Sequence, residues 1–345
     1  MNKIRSAIII EAICIIFIGG LLWQQNASRA ASAEVSEQDF IKWVDFNVSY
    51  EALCAAYQWD IDTYGTEHHI DWVELLSYLA AKNGGSFSGK SIKKIAGVAG
   101  KLSTGEVTMT ELTKDLKYYN YYLEAYGAVL NGYLGEAQYE TAPGSGVYEN
   151  TYGLKAYLPI AKGFPYSDYD DFGVSRSYGY RRQHLGHDMM GQIGSPIIAV
   201  ESGYVEAIGW NQYGGWRLGI RSFDSKRYYY YAHLRQNYPY AEGLAEGSVV
   251  TAGDVVGYMG HTGYSATENV NNITQVHLHF GIQLIFDESQ KEGNGEIWIN
   301  PYNLVRFLRS HQSEAAKVPD TKEWRRVLGM KDPEVERYSK EQEGR

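Results

Sequence analysis

Three short clusters of histidine carry the chemistry this chain could do. His277-Leu278-His279 lies inside an apolar run at 276–285. On a strand, the period of two puts both imidazoles on one face, about 6.7 Å apart at Cα. Two polar rings on an otherwise apolar strand need hydrogen-bond partners or an ion. His184-Leu185-Gly186-His187-Asp188 sets a histidine and a carboxylate four residues apart. A straight strand separates such residues by about 13 Å, whereas bonds to one ion span about 2.0–2.2 Å each. The two can share an ion only if the chain bends between them, and Gly186 permits a bend. The third cluster, Tyr231-Ala232-His233-Leu234, closes a run of four tyrosines. Taken singly, a histidine there reads as a satisfied, partly buried residue. Spacing does not say which ring would bind a metal and which would move protons, since an unperturbed pKa of about 6.5 suits imidazole to either task.

The elements that would hold these clusters follow from texture. Between about 152 and 311, short β-branched and aromatic runs alternate with glycine: 197–200, 204–208, 217–221, 228–232, 255–259 and 278–284. That pattern predicts an antiparallel all-β domain. Upstream, residues 38–139 repeat apolar side chains at three- and four-residue steps, as in Phe40, Trp43 and Val44 or Trp72, Leu75, Leu76 and Leu79, and predict an all-α domain. Gly84-Gly85 reads as a helix stop, and Thr108 with Glu111 as a capping box before a long Tyr- and Leu-rich helix. Its Tyr118, Tyr119, Tyr121 and Tyr122 read as amphipathic core plus rim. Residues 140–151, rich in Gly, Pro and Ser, read as a linker, and 312–345 as a charged tail, a solvated helix or a frayed end. The fold class expected is therefore α+β multidomain, an N-terminal helical domain followed by an antiparallel β domain.

Composition bounds the function. With 345 residues and 44% hydrophobic side chains the chain can build a packed core. A net charge of −9 excludes the basic footprint of a nucleic-acid partner. Cys14 and Cys54 are the sole cysteines, which excludes a disulfide-stapled scaffold and a cysteine zinc site. Cys54, beside Leu53, Ala55 and Ala56, reads as a buried structural thiol. His68 and His69 fall in a predicted loop and read as structural. Residues 1–35 form an address: Lys3 and Arg5 precede an apolar run at 7–23, which reads as a signal peptide or a single-pass anchor that leaves the rest of the chain outside the cytoplasm.

Taken in order, the clusters and their neighbours form a known pattern. From about 178 to 303 the chain resembles the lysostaphin/LytM family of zinc endopeptidases. The match runs through Tyr178-Gly179-Tyr180-Arg181, the HxGxD element at 184–188, Gly194-Ser195-Pro196, Gly203-Tyr204-Val205, the Tyr-Ala-His-Leu element, Gly253-Asp254, Gly260-His261-Thr262-Gly263, the HLHF element and Asn300-Pro301. The resemblance implies a lysostaphin/LytM-type (duplicated hybrid motif) sheet with a Zn2+ at the floor of a groove. It implies His184, Asp188 and His279 as zinc ligands, and His233 and His277 as catalytic histidines. It implies a peptide of bacterial cell-wall peptidoglycan as substrate. A catalytically silent relative, acting as a binding or regulatory module, is the alternative, although all five expected positions are filled. The chain departs from the family in a longer loop at 264–276, expected to edge the groove. His187 and His261 are expected to lie behind the ligands or at the surface, and no partner of the helical domain is implied.

Overall fold

The computed structural model describes residues 40–344 except residue 179. The apolar run at 7–23, and with it the choice between anchor and signal, lies outside the described residues. Among those described, no helix is long and apolar enough to cross a membrane.

The helical region comprises α1 (Tyr50–Thr63), α2 (Trp72–Asn83), α3 (Gly89–Ser103), α4 (Met109–Thr113) and α5 (Tyr119–Leu130). Its ends are set locally. Ser49 and Asp71 accept from the backbone N–H of Ala52 and Glu74, and Gly84 closes α2 at φ +60°, where a side chain would be strained. The Thr108–Glu111 capping box is present, but it starts only the five-residue α4. The Tyr-rich helix begins separately, because α5 is fixed by what it buries: Tyr119, Tyr126 and Leu130 face the core while Tyr118 stays exposed. Cys54 is half-buried on α1 and forms no disulfide among the described residues; burial raises its thiol pKa, which disfavours the reactive thiolate.

The β-rich region runs β1 (Leu134–Glu140), β2 (Tyr148–Leu154), β3 (Ser167–Asp168), β4 (Ser175–Tyr178), β5 (Tyr180–Gln183), β6 (His187–Met190), β7 (Pro196–Ile198), β8 (Gly203–Asn211), β9 (Gly215–Ser222), β10 (Arg227–Ala232), β11 (Val249–Val250), β12 (Val255–Tyr258), β13 (His277–Leu284) and β14 (Ile297–Ile299). After α6 (Tyr302–Leu308) come β15 (Ala315–Lys317), β16 (Trp324–Arg326), β17 (Met330–Lys331) and α7 (Pro333–Glu343). The principal sheet has the order β11-β8-β9-β10-β13-β6-β3, with β14 also on β13, and its pairings are antiparallel. Alternation sorts its two faces. Leu218, Ile220, Tyr229, Tyr231, Leu278 and Phe280 point into the core, and Tyr228, Tyr230, His277 and His279 point to the other side.

Two expectations are corrected here. Residues 140–151 are not a free linker: β1 and β2 pair in continuous register from Leu134–Leu154 to Glu140–Tyr148, so 141–147 is a hairpin turn. The tail is not solvated throughout. β17 pairs with β1, and Asp332, the N-cap of α7, is buried with its carboxylate on Lys155 Nζ (3.1 Å) and Ser202 Oγ (2.7 Å). A buried charge requires such partners. The helices also pack directly against the β-rich region. One hydrophobic core runs from Val44 through Leu308, with Phe307 of α6 edge-on to Tyr57 and tilted against Trp72. Each such aromatic or leucine contributes on the order of 1.5–3 kcal/mol on burial.

Candidate metal centre and groove

Register brings the first two donors together. On β13, His279 is paired on one side with Ala232 of β10 and on the other with Asp188 of β6. Residues directly opposite share a face with Cβ atoms about 5 Å apart. His279 Nδ1 and Asp188 Oδ1 accordingly lie 2.9 Å apart. His184 arrives from the loop before β6, with Nε2 2.9 Å from both Asp188 Oδ1 and His279 Nδ1. The bend between His184 and Asp188 does not use a left-handed glycine. Gly186 is needed for closeness instead: a Cβ there would sit 2.5 Å from His279 Cε1 and 2.9 Å from the Phe280 carbonyl.

The other two predicted side chains stand beside this trio. His277 Nε2 is 3.7 Å from Asp188 Oδ1, and its Nδ1 lies 2.9 Å from the Gln275 carbonyl. His233 packs against His277 with ring centroids 4.7 Å apart, and its Nδ1 lies 2.9 Å from the Thr262 carbonyl. Its backbone is held at φ +63°, a strained conformation for a side-chain-bearing residue. All five lie on one open groove of ≈ 770 Å³.

Electrostatics follow from burial and partners. Burial alone would raise the Asp188 pKa, but hydrogen bonds with His184 and His279 and the nearby imidazoles hold it well below the carboxylate range. Burial depresses His184, yet Asp171 and Asp188 outweigh it and push its pKa up to about 9. Burial lowers His279 and His233, the latter further through the charges of His277 and His279. His233 is thereby kept neutral.

Two residues missed in the sequence stand behind this trio. Asp171, fully buried, receives His184 Nδ1 on its carbonyl (3.0 Å) and lies 3.2 Å from it through Oδ2. Arg176 bridges Asp171 (2.6 Å) and Asp188 (3.2 Å). An acceptor behind a ligand histidine fixes the ring and its tautomer. The sequence signal was only the pair Asp170-Asp171 before Phe172-Gly173, with no spacing to link it to His184. His187 is buried on Asp168 (2.9 Å), and His261 bonds the Ile273 carbonyl, so neither joins the trio. His69 bonds the buried Asp60 at 3.0 Å. The loop at 264–276 is pinned by Asn269, which accepts from Trp216 Nε1 (2.9 Å) and the Asn237 N–H (2.8 Å); Tyr264 is its contribution to the groove wall.

The donor set fits a metal. Two imidazole nitrogens and one carboxylate oxygen converge on one point, the group His184, Asp188 and His279 being the one such cluster found among the described residues. Two nitrogens and an oxygen suit zinc, and three protein ligands leave a position open, as in catalytic rather than structural sites.

Residues 182–293 match the family described as Peptidase family M23. The chain is 32% identical over 160 residues to the L-Ala--D-Glu endopeptidase of Bacillus subtilis, covering 46% of this chain and 45% of that protein. It is 32% identical over 120 residues to lysostaphin of Staphylococcus simulans, covering 34% of this chain and 20% of lysostaphin. The chain thus spans less than half the length of either relative. The crystal structure of a lytM protein from Ruminococcus gnavus superposes with a TM-score of 0.50 at 26% identity, over 81% of this chain and 93% of that one. That coverage exceeds what residues 152–311 alone could supply, so the likeness extends beyond the β-rich region. The antiparallel sheet of this chain resembles the LytM fold, and residues 182–293 match peptidase family M23, with similarity to lysostaphin and the L-Ala--D-Glu endopeptidase.

Proposed function

We propose that the chain is a zinc-dependent endopeptidase that hydrolyses peptide bonds of bacterial cell-wall peptidoglycan, acting outside the cytoplasm. The observation that carries this reading is the mutual 2.9 Å approach of His184 Nε2, Asp188 Oδ1 and His279 Nδ1 on the groove floor, with two further imidazoles alongside. Those three residues would hold zinc. When bound, zinc supplies a Lewis acid for the scissile carbonyl and lowers the pKa of a water toward about 7.

The chain's own residues do the rest. A proton on His277 Nδ1 is donated to the Gln275 carbonyl and one on His233 Nδ1 to the Thr262 carbonyl. Each ring then carries its free lone pair on Nε2, where a general base would take a proton. His233, kept neutral by burial, is ready to accept; once protonated, it can donate a hydrogen bond to negative charge developing on the substrate. Asp171 and Arg176 orient His184 and Asp188. The cell wall as substrate is supported by the names of the relatives and by the address that residues 1–35 form in the sequence.

The test is zinc content and peptidoglycan cleavage measured on the same preparations. The intact chain should hold one zinc and release peptide fragments, and His279→Ala should lose both. A chain that folds, holds no zinc and cuts nothing would instead be the silent module.

A further inference from the structure

The groove contains two arginines that the metal chemistry does not use. Arg217 lies on β9, where Tyr231 is paired with Leu218 and Ala232 with His279. Alternation therefore puts Arg217 on the groove face, in the same transverse row as Ala232, His279 and Asp188, about 10 Å from His279 at two strand spacings. It lines the groove. Its Nη1 is buried and has no hydrogen-bond partner, and among the described residues Arg217 forms no ion pair. The other cations of this wall are engaged: Lys291 on Glu206, and Arg176 on Asp171 and Asp188. Arg182 also lines the groove. It is held against the Tyr264 ring (5.2 Å) and bonds the Tyr264 hydroxyl, again with no carboxylate partner among the described residues. Both arginines line the same groove as Tyr230. Tyr230 in turn packs on His279, with ring centroids 5.9 Å apart.

A buried guanidinium N–H left unpaired is costly unless something arrives to pair it. We propose that Arg217, with Arg182, forms an anion subsite that takes a free carboxylate on the substrate residue beside the scissile bond. The substrate class is then an acidic peptide, such as one cut at an Ala–Glu bond, rather than an uncharged glycine bridge. The inference rests on the peptidase reading for its catalytic readout, but not for its binding readout. Arg217 and Arg182 are specificity-determining residues in this scheme, since their guanidiniums pair the carboxylate in a planar, bidentate manner.

The experiment uses the zinc-loaded full chain and three peptides: two identical except for Ala–D-Glu or Ala–D-Gln at the cleavable bond, and pentaglycine. The acidic peptide should be preferred over its amide by on the order of 10- to 100-fold in kcat/KM, the worth of a charge-assisted hydrogen bond. Arg217→Gln should collapse that ratio toward one, chiefly through KM, while Arg217→Lys restores part of it; Arg182→Gln should give a smaller loss. Equal cleavage of acid and amide, or a preference untouched by Arg217→Gln, overturns the subsite and leaves the peptidase standing. Binding of the same peptides to zinc-free chain, followed by tryptophan fluorescence, separates the two claims. If no peptide is cut but the acid binds selectively and Arg217→Gln abolishes that, the subsite holds and the peptidase reading falls. No selective binding overturns the subsite.

Discussion

At the scale of single residues, the proposed roles, three side chains to hold the metal and two to move protons, follow the distances. His184 and His279 share Asp188 Oδ1, whereas His277 stands 3.7 Å off and His233 meets His277, His279 and Tyr264 by ring contact. Replacing His277 or His233 by Ala should therefore leave zinc stoichiometry intact and lower turnover by about 10²–10⁴-fold, the usual worth of a positioned acid or base. Metal analysis beside single-turnover cleavage checks the split; zinc loss in either variant would move that residue into the ligand set. Asp171 acts one layer back. Asp171→Asn keeps the shape but removes the charge behind His184, and should weaken zinc affinity about 10–100-fold, read by competition with a chelator.

At the scale of elements, the site depends on how closely β6, β10 and β13 approach. Gly186 is the pinch point, because a methyl group there would overlap His279 Cε1 and press on the Phe280 carbonyl, neither of which is a loose chain end. Gly186→Ala should displace the His279 ring and cost most of the bound zinc while the far-ultraviolet circular dichroism stays native; retained zinc at parent affinity would refute the packing argument. Two more glycines shape the groove floor. Gly219 and Gly281 leave room for the Tyr228 and Trp298 rings to lie across the sheet. The period-two pattern of β13 told in advance that His277 and His279 share one face, and the six expected strands are all present within a few residues. The capping box was legible as well, but not the length of the helix it starts, because that is decided by which tyrosines the core accepts.

At the scale of the molecule, the helices and the sheet are joined by charge as well as by a shared core. Arg227 is fully buried and donates to both oxygens of Glu201 (2.7 and 2.9 Å), to Asp224 (2.9 Å) and to the Ala128 carbonyl at the end of α5 (2.8 Å). Tyr229 also donates to Glu201. Removing one partner leaves an uncompensated buried charge, which costs about 3–5 kcal/mol. Arg227→Met should lower unfolding free energy by that amount in urea. The double variant Arg227→Met/Glu201→Gln should recover part of it, since the stranded carboxylate is gone. A single variant as stable as the parent would mean that helices and sheet are held together by apolar contacts alone.

The sequence by itself determined the donor chemistry and the face each donor would occupy, because residue identity and strand periodicity are local properties. It also carried the family resemblance, through ordered elements from 178 to 303. Three things awaited the tertiary structure. Register set His279 opposite Asp188, packing at Gly186 brought His184 to both, and Asp171 with Arg176 closed in behind. The unpaired state of Arg217 and the folding back of the chain after residue 312 belong to the same class. Each depends on contacts between segments tens to hundreds of residues apart, and no local pattern in the chain encodes which of many possible partners a side chain will meet.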